Sequence, residues 1–157
     1  MEQSGTQWLK SGGTCMFTGE YNHTIDAKGR IIVPSKLREE LGEVFVVTRG
    51  LDGCLFVYPD CEWKNFVEKL KDLPGTMQAR KLQRAFLASA VYCEIDKQGR
   101  VLIPSNLREH AGLEKDVVFA GLNQKIEVWS KERWDEINDY SDIDEAAEAL
   151  SEFGLNF

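Results

Sequence analysis

Two arginines stand in the same short frame. Arg30 closes Asp26-Ala27-Lys28-Gly29-Arg30, and Arg100 closes Asp96-Lys97-Gln98-Gly99-Arg100. A guanidinium is planar, stays charged and presents a fork of N–H donors. That fork matches a phosphate, or the O6 and N7 edge of guanine. Lys28 and Lys97 add charge within the same loops. The aspartate four residues upstream has two possible uses. It can orient the arginine as an ion pair, or it can cap the turn by accepting backbone N–H bonds. Pairs of this kind beside a tight turn often do only the structural job, so residue type alone leaves both uses open. Lys36, Arg38 and Arg108 follow each frame as further candidates for phosphate contact. For Arg38 and Arg108 a solvated helix face is the simpler expectation.

The frames belong to a longer stretch that the chain contains twice, residues 25–39 and 95–109. Nine of the fifteen positions are identical, and three more exchange one aliphatic residue for another. The fold is therefore expected to be two halves of one kind. Each half is too small to bury a sufficient core alone, so the halves must pack on each other or on other subunits.

The elements that position the frames follow from local pattern. Tyr21, His23 and Ile25 are spaced by two and predict a strand. Asp26 to Gly29 is a turn, and the β-branched run Ile31-Ile32-Val33 resumes a strand, so the unit reads as a hairpin. Pro34 and Pro104 stop these strands and open short helices, with Ser35 a possible N-cap and Gly42 and Gly112 at the far ends. Two further apolar strands follow in each half, around Gly50-Leu51-Asp52-Gly53 and around Gly121-Leu122-Asn123-Gln124. The predicted class is β-rich α+β.

The expected boundaries are a flexible N-terminal extension at 1–15 with an isolated Trp8, a first repeat at 20–62, a helical connector at 63–90, a second repeat at 91–134, and an acidic helix or tail at 135–157. In the connector, Trp63, Phe66, Val67 and Leu70 fall on one helical face. Leu82, Ala85, Phe86 and Ser89 share a face of a second helix, while Arg80, Lys81 and Arg84 point elsewhere. A last helix over Asp142–Phe153 carries Ile143, Ala146, Ala147 and Leu150 on one side, a packed end or a subunit contact.

Charge and composition bound the partners. The net charge is −7, but residues 131–157 hold nine acids against two bases and account for all of it. Residues 61–90 hold six bases against three acids. Local charge decides where a phosphate backbone can sit, so the total does not exclude nucleic acid. No stretch reaches the ~20 apolar residues of a membrane span. Cys15, Cys54, Cys61 and Cys93 are widely spaced, which supports neither a metal centre nor a disulfide framework. His23 and His110 do not occupy matching repeat positions, and no nucleophile motif is present. The expectation is a binding protein without enzymatic activity, cofactor or metal.

These residues carry a resemblance. Met16-Phe17, the run Tyr21 to Arg30, the second Asp-Lys-Gln-Gly-Arg with Ile-Pro-Ser-x-Leu-Arg-Glu, and Ala79 to Arg84 resemble the MraZ family. Those proteins are the duplicated members of the AbrB-like (SpoVT-AbrB) group of bacterial transcription regulators. The resemblance runs from Met16 to about Trp134. It implies two tandem AbrB-like swapped-hairpin halves that form one pseudo-twofold double-split β-barrel. It also implies ring-shaped homo-oligomers that bind direct repeats of double-stranded DNA in the promoter of a division and cell-wall gene cluster. A cytoplasmic, nucleoid-associated location follows from that. The DNA-binding residues would be Asp26, Lys28, Arg30, Asp96, Lys97 and Arg100. A scaffold module on the same barrel, without DNA readout, is the alternative.

Overall fold

The computed structural model describes residues 16–156; the N-terminal extension, Trp8 and Cys15 lie outside the described residues. In chain order the first repeat contributes β1 (Glu20–Thr24), β2 (Arg30–Ile32), α1 (Ser35–Leu41), β3 (Val44–Arg49) and β4 (Leu55–Pro59). The connector is α2 (Asp60–Lys71) and α3 (Met77–Ala88). The second repeat contributes β5 (Val91–Glu94), β6 (Arg100–Leu102), α4 (Ser105–Ala111), β7 (Asp116–Leu122) and β8 (Lys125–Ser130). Then come α5 (Lys131–Ile137) and α6 (Ile143–Ala149), with 3₁₀ turns at Tyr140–Asp142 and Ser151–Phe153.

The strands form a six-stranded sheet in the order β1-β7-β8-β4-β3-β5 and a separate ribbon of β2 with β6. Each repeat's first strand pairs with the other repeat's third: β1 with β7, and β5 with β3. The expected hairpin is therefore only a stub. Asp26 N donates to Arg30 O at 2.9 Å and Ile25 bridges Ile31, and beyond that β1 and β2 part company. The ladder does not run round into a closed barrel; β1 and β5 end the sheet.

One-sided burial explains the pairing. Phe45, Val47, Leu55, Val57, Val117, Phe119, Ile126 and Val128 point to one face of the sheet. There they meet Ile31, Val33, Val101 and Ile103 of the ribbon and Leu37, Leu41, Leu107 and Ala111 of the short helices. The alternate residues Val46, Phe56, Tyr58, Val118 and Trp129 point the other way, onto Trp63, Leu70 and Phe86 of the connector. With both faces covered, β4 reads as an unbroken apolar run rather than an alternating one.

Polar ties fix the connector. Thr48, fully buried, donates from Oγ1 to Phe86 O at 2.6 Å, and Gln83 Nε2 donates to Leu70 O at 2.8 Å. The inward face of α3 is thus Ala79, Gln83 and Phe86, while Leu82, read from its spacing onto the same face as Phe86, is exposed. Arg133 of α5 donates from one terminal nitrogen to Gly53 O and His110 O, each at 2.9 Å, binding a turn of the first repeat to the end of α4.

Two local expectations need correction. Ser35 is the first helical residue rather than the cap; Pro34 already has the extended backbone (φ −53°, ψ 132°) that the cap position requires. The C-terminal helix spans Ile143–Ala149 instead of Asp142–Phe153; among the described residues nothing buries its apolar side to extend it.

Gly121 marks a close crossing. A Cβ there would stand 2.5 Å from Thr18 N and 2.7 Å from the Phe17 carbonyl carbon, where the backbone cannot yield. Gly121→Ala should cost about 1–3 kcal/mol in urea unfolding. Gly75→Ala, with no atom within 4 Å, should stay within about 0.5 kcal/mol of the parent.

Candidate functional site

The two Asp-x-x-x-Arg loops are built alike. In the first, Asp26 Oδ1 accepts from Lys28 N (3.0 Å) and Arg30 N (2.9 Å), while Oδ2 accepts from Arg30 Nε at 2.7 Å. In the second, Asp96 Oδ1 accepts from Gln98 N and Arg100 N, each at 2.9 Å, and Oδ2 accepts from Arg100 Nε at 2.9 Å. Each aspartate thus performs both of the uses that its position allowed. One oxygen caps the turn and the other holds the arginine. Gly29 (φ +89°) and Gly99 (φ +80°) supply the left-handed residue that closes each turn.

Holding an arginine by Nε leaves its two terminal nitrogens available to another acceptor, and among the described residues neither Arg30 nor Arg100 uses them in a hydrogen bond. Arg30 and Arg100 keep between a quarter and a third of their side-chain surface exposed (32% and 27%). An exposed pair of this kind adds little stability. Its effect is on orientation.

The ribbon brings the loops together. β2 pairs antiparallel with β6, with Arg30 opposite Leu102, Ile31 opposite Val101 and Ile32 opposite Arg100. Val33 N donates to Gly99 O and Ile103 N to Gly29 O, extending the ladder into both turns. Ile31 and Val101 point into the core, so Arg30, Ile32, Arg100 and Leu102 share the outward face. Arg30 and Arg100 are diagonal neighbours there, with backbones about 7–8 Å apart. Lys28 and Lys97 are exposed on the adjoining loops.

Arg38 and Arg108 correct the expectation of a solvated helix face. Arg38 donates from Nε to Val33 O at 2.8 Å, and Arg108 donates to Ile103 O at 2.9 Å. Each guanidinium then lies across the glycine of the opposite repeat's loop. A Cβ on Gly99 would stand 2.6 Å from the Arg38 Cζ, and one on Gly29 would stand 2.7 Å from the Arg108 Cζ. Each loop is therefore flanked by two guanidiniums, one from each repeat. A sequence signal existed: Arg38 and Arg108 are among the identities between the copies, whereas Lys36 is replaced by Asn106 at the equivalent position. His23 packs edge-on against Phe119, and burial, then the charge of Arg38, hold its pKa below the ordinary value.

The carboxylates titrate with the turns. The Arg30 backbone N–H, then its side chain and the Lys28 N–H, hold Asp26 below the usual carboxylate range. The Arg100 backbone N–H, then the Gln98 N–H and the Arg100 side chain, do the same for Asp96. A group with a lower pKa folded than unfolded stabilises the fold above its unfolded value, about 3.9 for aspartate. That contribution vanishes as pH falls through the folded value. The stability gap between the parent and Asp26→Asn/Asp96→Asn, read by urea unfolding, should be constant from about pH 7 to 5 and narrow below about pH 4.

Comparison with known proteins agrees with this duplicated architecture. The family model described as "MraZ protein, putative antitoxin-like" matches twice, over residues 16–85 and 86–154. A protein of Lachnoclostridium phytofermentans, named "Transcriptional regulator MraZ", is 69% identical over 142 residues, covering 90% of this chain and all of the relative. Proteins of the same name from Caldanaerobacter subterraneus (59% over 143 residues) and Clostridium acetobutylicum (54% over 142 residues) each align with 89% of this chain over their whole length. The chain belongs to the MraZ family.

Proposed function

We propose that this chain is a DNA-binding transcriptional regulator that meets duplex DNA with the outward face of the β2–β6 ribbon. One observation carries the reading: Arg30 and Arg100 sit diagonally on that face, each already aimed by its aspartate. A two-stranded ribbon fits the major groove, which is about 12 Å wide, and the ~7–8 Å between the two arginine positions falls within it. Arginines held by Nε lose less freedom on contact than free ones, so more of each contact is retained as affinity. Arg38 and Arg108 raise the local positive potential, and Lys28 and Lys97 extend it toward the flanking phosphates. Exposed Ile32 and Leu102 offer apolar contact to thymine methyl groups. The names of the relatives support regulation of transcription.

The finer reading follows the family. The strand exchange between repeats corresponds to swapped hairpins of a double-split barrel. Several copies assemble as a ring, so each weak patch is repeated and engages successive promoter boxes at high effective concentration. The boxes are direct repeats upstream of the division and cell-wall gene cluster, and the protein works in the cytoplasm on the nucleoid. Lys28 in one loop faces Gln98 in the other, so the two loops contribute unequally. A protein-interaction module on the same scaffold is the competing reading.

A mobility-shift titration against the gene's own upstream DNA, at several salt concentrations, tests this. Arg30→Ala/Arg100→Ala should bind at least tenfold more weakly, with an unchanged circular dichroism spectrum. If the arginines contact phosphates, the slope of log affinity against log salt should fall by about 1.8. If they read bases, the loss should concentrate on particular boxes at about 1–3 kcal/mol per bidentate contact. Unchanged binding in the double variant refutes the loop assignment and leaves the interaction module.

A further inference from the structure

The turns on the proposed DNA face share one backbone but differ in two side chains. Gly29 N donates to Asp26 O and Gly99 N to Asp96 O, each at 3.0 Å, so both are four-residue turns of one kind. Aspartate opens each turn, and glycine and arginine close it. The tips are not alike. The first holds Ala27-Lys28 and the second Lys97-Gln98, all four exposed. The aspartate fixes the second tip residue by its backbone: Lys28 N lies 3.0 Å and Gln98 N 2.9 Å from the respective Oδ1. The Lys28 and Gln98 side chains make no hydrogen bond among the described residues.

Each tip carries one lysine, so the tips are equal in charge. They differ in hydrogen-bond chemistry. An ammonium only donates, which suits a phosphate or the O6 and N7 of guanine. A carboxamide donates and accepts side by side, which matches N6 and N7 of adenine. At the position that the aspartate holds, one end of the face therefore offers donors alone and the other a donor beside an acceptor.

The ribbon keeps these ends apart. Ile31 lies opposite Val101 at the local twofold, and Lys28 and Gln98 each stand three residues before it on their own strands. At ~3.3 Å per residue the tips are separated by up to about 20 Å, or roughly six base-pair steps, so they meet different base pairs. Two identical tips about a twofold would suit a palindrome. Unlike tips suit a site whose halves differ.

We infer, resting on that assignment of the face, that Lys28 and Gln98 set the direction in which the chain lies on DNA. The Gln98 end takes a half-site bearing adenine, and the Lys28 end takes a half-site met by donation alone. Arg30 and Arg100, the same at both ends, supply affinity without direction.

Two variants make the ends alike. Lys97→Ala/Gln98→Lys gives both turns the first tip, and Ala27→Lys/Lys28→Gln gives both the second. Each exchange places in one turn the residues that its sister already accommodates and leaves the net charge unchanged, so circular dichroism should match the parent. Full-length parent and variants are incubated with duplexes carrying about 12 random base pairs, enough to span both tips, and the bound fraction is sequenced. The parent should enrich a motif without twofold symmetry. The first variant should enrich a palindrome of one half of that motif, and the second a palindrome of the other, adenine-bearing half. In a mobility shift each variant should bind its own palindrome about tenfold more tightly than the other's, the discrimination of one bidentate base contact. Variants that keep the parental motif overturn the inference and leave direction to the other unlike pair on the face, Ile32 and Leu102. Variants that enrich nothing overturn it as well, and so does a parent that already enriches a palindrome. A parental motif that persists in Arg30→Ala/Arg100→Ala instead refutes the assignment of the face, and this inference falls with it.

Discussion

The structure depends on one constraint: neither repeat can complete a sheet from its own strands. The first strand of each half finds its ladder only on the third strand of the other, and β4 and β8 join the halves at the centre of the sheet. The core shares this dependence. Ile31 and Val33 of one half sit with Val101 and Ile103 of the other in a single buried cluster, between the ribbon and the sheet. A separated half would expose one face of β3 and β4 and leave its first strand without backbone partners, at a cost that a unit of that size does not recover elsewhere.

That dependence also makes the site. The ribbon is a cross-repeat pair with a local twofold at Ile31 and Val101, and the same symmetry that buries those two side chains turns Arg30 and Arg100 outward together. The loops then need only local chemistry. Each aspartate satisfies two backbone N–H groups that the turn would otherwise leave to solvent, and with its remaining oxygen it fixes the arginine's plane. Capping and aiming are one arrangement, so the loop geometry that stabilises the turn is also what presents the cation.

Much of this was legible in the chain. The duplication, the glycine-closed turns, the strand–helix–strand order and the paired aspartate and arginine all rest on short-range patterns, and such patterns are set by neighbours a few residues away. The partners of β1 and β5 were not legible from spacing, because alternation says that a strand is half-buried and not which strand lies beside it. Arg38 and Arg108 were misjudged for the same reason. Helical periodicity puts them on an outward face, whereas the surface they meet belongs to residues some 60 to 80 positions away. Arg133 counted only as a charge, yet its role is to gather carbonyls from Gly53 and His110, a job visible only once those elements converge. Leu82 faces outward because Gln83 takes the interior position through a bond to α2 that no hydropathy pattern encodes.

The guanidinium laid over each opposing glycine has a corollary for substitution. A side chain at Gly29 would displace the Arg108 guanidinium, and one at Gly99 that of Arg38, while the positive φ at both positions disfavours any residue but glycine. The two repeats thus touch reciprocally, each helix arginine resting on the other repeat's turn. A change at either turn glycine acts on two places in the chain at once, Gly29 with Arg108 and Gly99 with Arg38, pairs that lie 79 and 61 positions apart.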